Sequence, residues 1–305
     1  AVFLVPFGKL ADIYGRKRIF TYGILTFTLA VLLAAVAPSA VVLLGARVLQ
    51  GIGGAMIFGT STAMLTSVYP AGERGRALGI NVASTYSGLS LGPVLGGFLT
   101  QYGGWRSIFW ATVPLALLAA IIVLWKLKGE WAEAQGERFD LIGSVLYGLS
   151  LVPLMYGFGT LPAASGAALI LTGVLGLLLF MGWETRSASP ILDMRLFRGN
   201  VVFALSNLAA LINYSATSAV GFLLSLYLQY IKALSPQEAG LVLVAQPVIM
   251  AIFSPFAGRL SDKVEPRIVA SAGMSLAVAG LLLLNFVTAE TSLAFIIVAL
   301  LLLGF

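Results

Sequence analysis

Two short charged segments and one isolated arginine hold side chains able to do chemistry. Residues 8–18 read Gly-Lys-Leu-Ala-Asp-Ile-Tyr-Gly-Arg-Lys-Arg, and residues 258–267 read Gly-Arg-Leu-Ser-Asp-Lys-Val-Glu-Pro-Arg. Both place a glycine, a basic residue, Leu, a small residue and Asp in one register, and both follow a proline, Pro6 or Pro255. Asp12, at a helix end, can accept from backbone N–H groups or pair with an arginine. Arg16 and Lys17 can bridge to a carboxylate elsewhere. Gly8 permits close helix approach and Gly15 a sharp turn. Such a cluster suits a latch between two conformational states, and the repeat offers Gly258, Asp262 and Arg267 for a second one. Without that role the segments would serve only to set topology. The third feature is Arg47, with Gln50 three residues on, inside a long apolar run.

The elements that must position these residues are membrane helices. Of 305 residues, 59% are hydrophobic and 10% charged, against about 25% charged in an ordinary soluble domain. Mean hydropathy is +1.00. The apolar runs are long rather than alternating, which points to an all-α polytopic bundle rather than a β-barrel. Expected spans are 19–37, 41–67, 76–100, 107–125, 141–159, 166–183, 201–227, 239–257 and 268–287. The tail of another occupies 1–8, and a further run starts at 292.

The net charge of +6 belongs to the loops between these runs. Lys9, Arg16, Lys17, Arg18, Arg74, Arg76, Lys126, Lys128, Arg138, Arg186, Arg195, Arg198, Arg259, Lys263 and Arg267 fall on one side of the predicted membrane. Only Arg106 and Lys232 fall on the other. The asymmetry puts the rich side in the cytoplasm and argues against a nucleic-acid partner. With no Cys and no His, disulfides, thiolate sites and the commonest general base are excluded. No phosphate-binding loop and no nucleophile–base pair is present, so the chain reads as a non-enzyme.

Arg47 lies about 10 Å from the outer end of its helix at 1.5 Å per residue. An arginine in a span is costly and is expected to face the interior or a wet cavity; the alternative is snorkelling to the outer surface. Being always charged, it cannot carry a proton, but it can favour the ionised form of a nearby carboxylate. No acid stands well inside a whole span, and Glu184 is placed at a cytoplasmic edge. Ser84, Gly88, Gly92 and Gly96 recur at spacing four, with Pro93 and Gly97 beside them, so they share a helix face on which another helix can pack. Pro93 can kink that helix. Polar or aromatic candidates for lining a substrate cavity are Asn81, Tyr86, Asn207, Asn213, Tyr214, Tyr227 and Gln246; each suits an interhelical hydrogen bond equally well.

The 8–18 segment resembles the signature loop between the second and third helices of the major facilitator superfamily, and 258–267 resembles its counterpart between the eighth and ninth. Twelve-helix members have six spans between these loops. Here there are eight, and the surplus, 141–159 and 166–183, resembles the fourteen-helix drug:proton antiporter branch. The resemblance implies two pseudo-symmetric bundles: an N-terminal bundle over 1–125, two extra helices over 126–185, and a C-terminal bundle over 186–305. It also implies a chain lacking both ends of the full transporter. In the family the 8–18 loop stabilises the outward-facing state. The run from Arg47 to Gly54 resembles a fourth-helix motif linked to proton transfer. Gly88-Leu-Ser-Leu-Gly92-Pro93-Val-Leu-Gly96-Gly97 resembles the fifth-helix motif that marks exporters. The family's acidic residue in the first helix would lie upstream of Ala1.

The resemblance thus implies a monomeric, multi-pass transporter of a bacterial inner membrane. It would export drug-like or lipophilic cationic compounds by alternating access, with protons and the lipid bilayer as its other partners. No cofactor is expected, the proton gradient supplying the energy. The alternatives are export of an endogenous metabolite, such as a siderophore, amino acid or lipid precursor, and a non-transporting membrane scaffold or sensor.

Overall fold

The computed structural model describes residues 1–127 and 129–305; Lys128, one of the basic connector residues, lies outside the described residues. Among the described residues the regular structure is helical. In chain order the α-helices are α1 Leu4–Tyr14, α2 Arg16–Ala35, α3 Ala40–Val68, α4 Arg74–Gly103, α5 Arg106–Lys126, α6 Leu141–Gly159, α7 Ala164–Glu184 and α8 Arg195–Gly199. They continue with α9 Val201–Leu226, α10 Pro236–Leu243, α11 Ala245–Ser261, α12 Pro266–Leu284 and α13 Leu293–Gly304. Eight helical segments among the described residues are long and apolar enough to cross a membrane. The protein is a multi-pass integral membrane protein with an all-α fold.

Nine whole spans were expected. The one missing from the eight is 76–100, which is helical throughout as part of the 30-residue α4. Its length suffices, but Gly, Ser, Thr and Asn dilute its hydropathy. It runs through Pro93 without interruption. The expected span 239–257 is two helices, α10 and α11, broken at Val244. Pro247 lacks the N–H that would bond the Leu243 carbonyl, so the ladder lapses there. α9 ends in a π-helical turn over Tyr227–Ile231. The 8–18 segment is mostly helix rather than loop. α1 continues to Tyr14, and the break is confined to Gly15 at φ 113°, a conformation other residues adopt only with strain.

Contacts divide the chain into two compact units, one of residues 1–67 and 103–204, the other of 68–102 and 205–305. In the first, α2 packs on α1 and α5, and α6 pairs with α7. Ala30, Val31 and Ala34 of α2 are fully buried. α2 crosses α3 where Gly23 faces Gly53; a Cβ on Gly53 would come within 2.7 Å of the Phe27 amide nitrogen. α1 meets α3 at Gly8 and Gly59, whose missing side chains allow the backbones together. In the second unit α13 packs against α11 and α12, and Leu224, Leu228, Ala239, Ile296, Leu300 and Leu303 form its core. α10 starts on a capping box in which Ser235 and Glu238 satisfy each other's backbone N–H groups, with Pro236 at the first helical position.

Candidate functional site

The 8–18 segment is built around Arg16, the opening residue of α2. Its side chain is 8% exposed. Nε donates to Asp12 Oδ1 at 2.8 Å, and Nη1 donates to Ser67 Oγ at 2.6 Å and Glu133 Oε1 at 2.7 Å. Asp12, one turn earlier on α1, reaches Arg16 because the chain turns at Gly15 between them. The guanidinium thus lies between two carboxylates, an arrangement suited to holding a charge out of water. The Lys17 amide donates to Glu130 Oε1 at 2.9 Å.

The repeated segment, in the second unit, works differently. Asp262 follows α11 and accepts from the Gly75 amide at 2.7 Å and the Arg76 amide at 2.8 Å. Those amides open α4, where backbone donors have no partner within the helix, so the carboxylate caps α4 from another segment and meets the positive end of its dipole. Close approach is obligatory. A Cβ on Gly258 would overlap the Gly75 carbonyl, and one on Gly75 would overlap the Gly258 carbonyl. Arg267 does not join this cap; it pairs with Glu265 at 3.1 Å, both exposed.

On α3, Arg47 Nη1 donates to Gln50 Oε1 at 2.6 Å, and the arginine is exposed rather than enclosed. Along α4, a Cβ on Gly88, Gly92 or Gly97 would meet open space within its unit, in contrast to the crowded Gly75 and Gly79 at the other end. Gly96 accepts from the Thr100 hydroxyl at 2.7 Å.

All seven cavity candidates fall in the second unit. Tyr86 and Tyr214 lie within electrostatic reach of each other. Tyr227 donates to the Thr288 carbonyl at 2.5 Å and so serves as a structural tie. Gln246 is buried with Nε2 lacking an acceptor, beside α13 where Gly304 makes room. Thr217 donates to the carbonyl of Asn213, and Thr85 to that of Asn81. Asn207 lies on α9, on the same helix as Asn213. A cavity of about 530 Å³ lies elsewhere, in the first unit, walled by Tyr147, Phe180, Met181, Leu192, Phe197 and Arg198 among others.

Reading by sequence missed one group of acids and assigned no contacts to a second. Glu130, Glu133 and Glu137, in the connector between α5 and α6, reach the 8–18 segment; three acids in a connector on the same predicted side as a cationic segment were the available signal. The other group joins α6 to α7. Asp140 caps α6 through the Gly143 amide at 2.7 Å, while its other oxygen accepts from Trp183 Nε1 and Ser187 Oγ, both at 2.8 Å. Burial works to raise its pKa, but the bonds from Gly143, Ser187 and Trp183 prevail and hold it below the usual carboxylate range. Glu184, placed by sequence at an edge, is 2% exposed. Oε2 accepts from the Leu192 amide at 2.9 Å, and Oε1 is unpartnered in the space that the missing Cβ of Gly143 leaves.

Long apolar helices in number, joined by charged connectors, define the class as a polytopic membrane protein. The chain belongs to the Major Facilitator Superfamily, whose model matches residues 1–192 and 206–305. It is 33% identical over 292 residues to "Multidrug resistance protein Stp" of Mycobacterium tuberculosis (strain CDC 1551 / Oshkosh), covering 94% of this chain and 54% of that protein. It is 30% identical over 301 residues to "Riboflavin transporter RibZ" of Clostridioides difficile (strain 630), covering 98% and 65%. With the "Tetracenomycin C resistance and export protein" of Streptomyces glaucescens it shares 29% over 310 residues, covering 98% and 57%. The chain thus spans about half to two thirds of the length of these relatives.

Proposed function

We propose that this chain is part of a proton-coupled exporter of drug-like or lipophilic cationic compounds, of the fourteen-helix branch, in a bacterial inner membrane. The likeness to relatives named for multidrug resistance and antibiotic export supports this reading most directly. In it, residues 1–125 supply the N-terminal bundle, 126–185 the added helix pair and 186–305 the C-terminal bundle. The 8–18 and 258–267 segments are the gates. Asp12 holds Arg16, and Asp262 holds the start of α4; releasing either bond frees a helix end to move, which is the change that alternating access needs. Arg47, oriented by Gln50, favours the ionised state of the proton-carrying carboxylate. Gly88, Gly92 and Gly96 provide a helix face without side chains for a further helix, flanked by Pro93 and Gly97.

The test uses the complete gene product in inside-out vesicles, energised to acidify the lumen, with luminal pH followed by fluorescence. Ethidium or tetraphenylphosphonium should cause proton release from the lumen, and Arg47→Ala should abolish it while the protein stays folded. No response to either cation would overturn the drug reading. A full response in Arg47→Ala would remove that residue from the coupling path.

A second reading, export of an endogenous metabolite, is favoured by the resemblance over 98% of the chain to a relative named as a riboflavin transporter. Riboflavin-driven proton release without a response to the cations would select it.

A further inference from the structure

We infer that residues 130–137, between α5 and α6, form a strap that positions the first gate, with Glu133 the positioning residue for Arg16. The inference rests on the gate reading of residues 8–18. It adds a part from outside that segment, supplied by the chain that leads into the added helix pair.

Two backbone bonds bracket the gate's turn. The Arg16 amide donates to the Trp131 carbonyl at 2.8 Å, and the Ala134 amide donates to the Asp12 carbonyl at 2.9 Å. The strap therefore lies across the point where Asp12 faces Arg16. Each of its three carboxylates then takes a different partner. Glu133 reaches Arg16 at 2.7 Å, and Glu137 reaches Lys9 Nζ at 2.6 Å. Glu130 accepts from the Lys17 amide and stands 3.7 Å from Arg18 Nε. The fit is steric as well as electrostatic: a Cβ on Gly15 would overlap the Glu130 carboxyl. A glycine at this turn thus answers two needs, its φ of 113° and the space for Glu130.

The pairs are not equivalent. Glu137 and Glu133 are 45% and 69% exposed, and an exposed ion pair by itself holds little. Glu133 differs because its partner is buried. Losing it leaves Arg16 with one carboxylate, the Ser67 hydroxyl and a long bond to the Ala63 carbonyl inside the protein, which penalises the docked geometry far more than loss of a surface pair. Glu137 is followed three residues later by Asp140, the cap that joins α6 to α7. The strap therefore runs between an anchored helix pair and the gate, and its carboxylates determine how readily Arg16 leaves Asp12.

The test combines hydrogen exchange with transport in the complete gene product, reconstituted in liposomes. Wild-type amides of Arg16 and Ala134 should be protected. In a Glu130→Gln/Glu133→Gln/Glu137→Gln variant both should exchange faster by at least about tenfold, the factor that corresponds to losing one charge-assisted hydrogen bond. Ethidium-driven proton movement should fall in Glu133→Ala and recover at least in part in Glu133→Asp, which restores the carboxylate facing Arg16, a rescue that a purely structural loss would not show. Unprotected wild-type amides, or protection unchanged in the triple variant, would overturn the strap. Faster exchange with undiminished flux, while Asp12→Asn still abolishes flux, would overturn the positioning role and leave the gate reading standing. Flux unaffected by Asp12→Asn would sink the gate reading itself.

Discussion

Asp140 illustrates how much one side chain can hold in a helical membrane protein. Three donors from three sites converge on it, and the bonds outweigh the burial that opposes its charge. Its folded pKa is depressed, so its stabilisation is fully present above the ordinary carboxylate range. It is lost as pH falls through the lower folded value. Thermal unfolding of wild type and Asp140→Asn in detergent should therefore show a constant gap from pH 8 to 5 that closes only in more acidic buffer. At neutral pH the variant should lose about 1–3 kcal/mol, as expected for a cap with hydrogen bonds to a charged group. A gap independent of pH down to pH 2 would show that the carboxylate's charge is not what stabilises the cap.

Among elements, the α2–α3 and α4–α11 crossings depend on glycines at which backbone meets backbone. Sequence marks these glycines only as residues of permissive conformation. The structure separates those in contact from those in the open. Gly53 is pressed against Phe27 and Gly23, whereas Gly54, the next residue, faces empty space. Gly53→Val should destabilise by about 1–3 kcal/mol or more through overpacking, and Gly54→Val should stay within about 0.5 kcal/mol. Apparent melting temperatures of the two variants, measured side by side, check this. At the second crossing, Gly258→Val should separate α11 from α4 and remove the Asp262 cap as well. Its loss should thus exceed that of Asp262→Asn, which leaves the helices in contact.

For the molecule as a whole, topology is the property that charge determines most directly. The chain contains no cysteine, so single cysteines report without background. Lys263→Cys should react with an impermeant maleimide only from the cytoplasmic side, and Lys232→Cys only from the opposite side. Both reacting from one side would overturn the alternation of loops and with it the span count. Membership of a transporter family is independent of that outcome, since it rests on likeness along nearly the whole chain.

Membrane character, all-helical class and most spans were legible in the sequence, because a helix crossing lipid must satisfy its own backbone and present an apolar surface along its length. The expected 141–159 and the observed Leu141–Gly159 agree for that reason. The Gly–Asp repeat was legible too, since register survives in sequence. The division of roles between its copies was not. Asp12 takes a side chain and Asp262 takes a helix end, and the choice depends on which donors tertiary packing brings near. The same holds for the acids. Glu130, Glu133 and Glu137 stand more than a hundred residues from the cations they meet, and Glu184 is buried by a glycine on a different helix. Hydropathy and periodicity are local sums along the chain, whereas an ion pair is a meeting in space, and only the folded arrangement sets that distance.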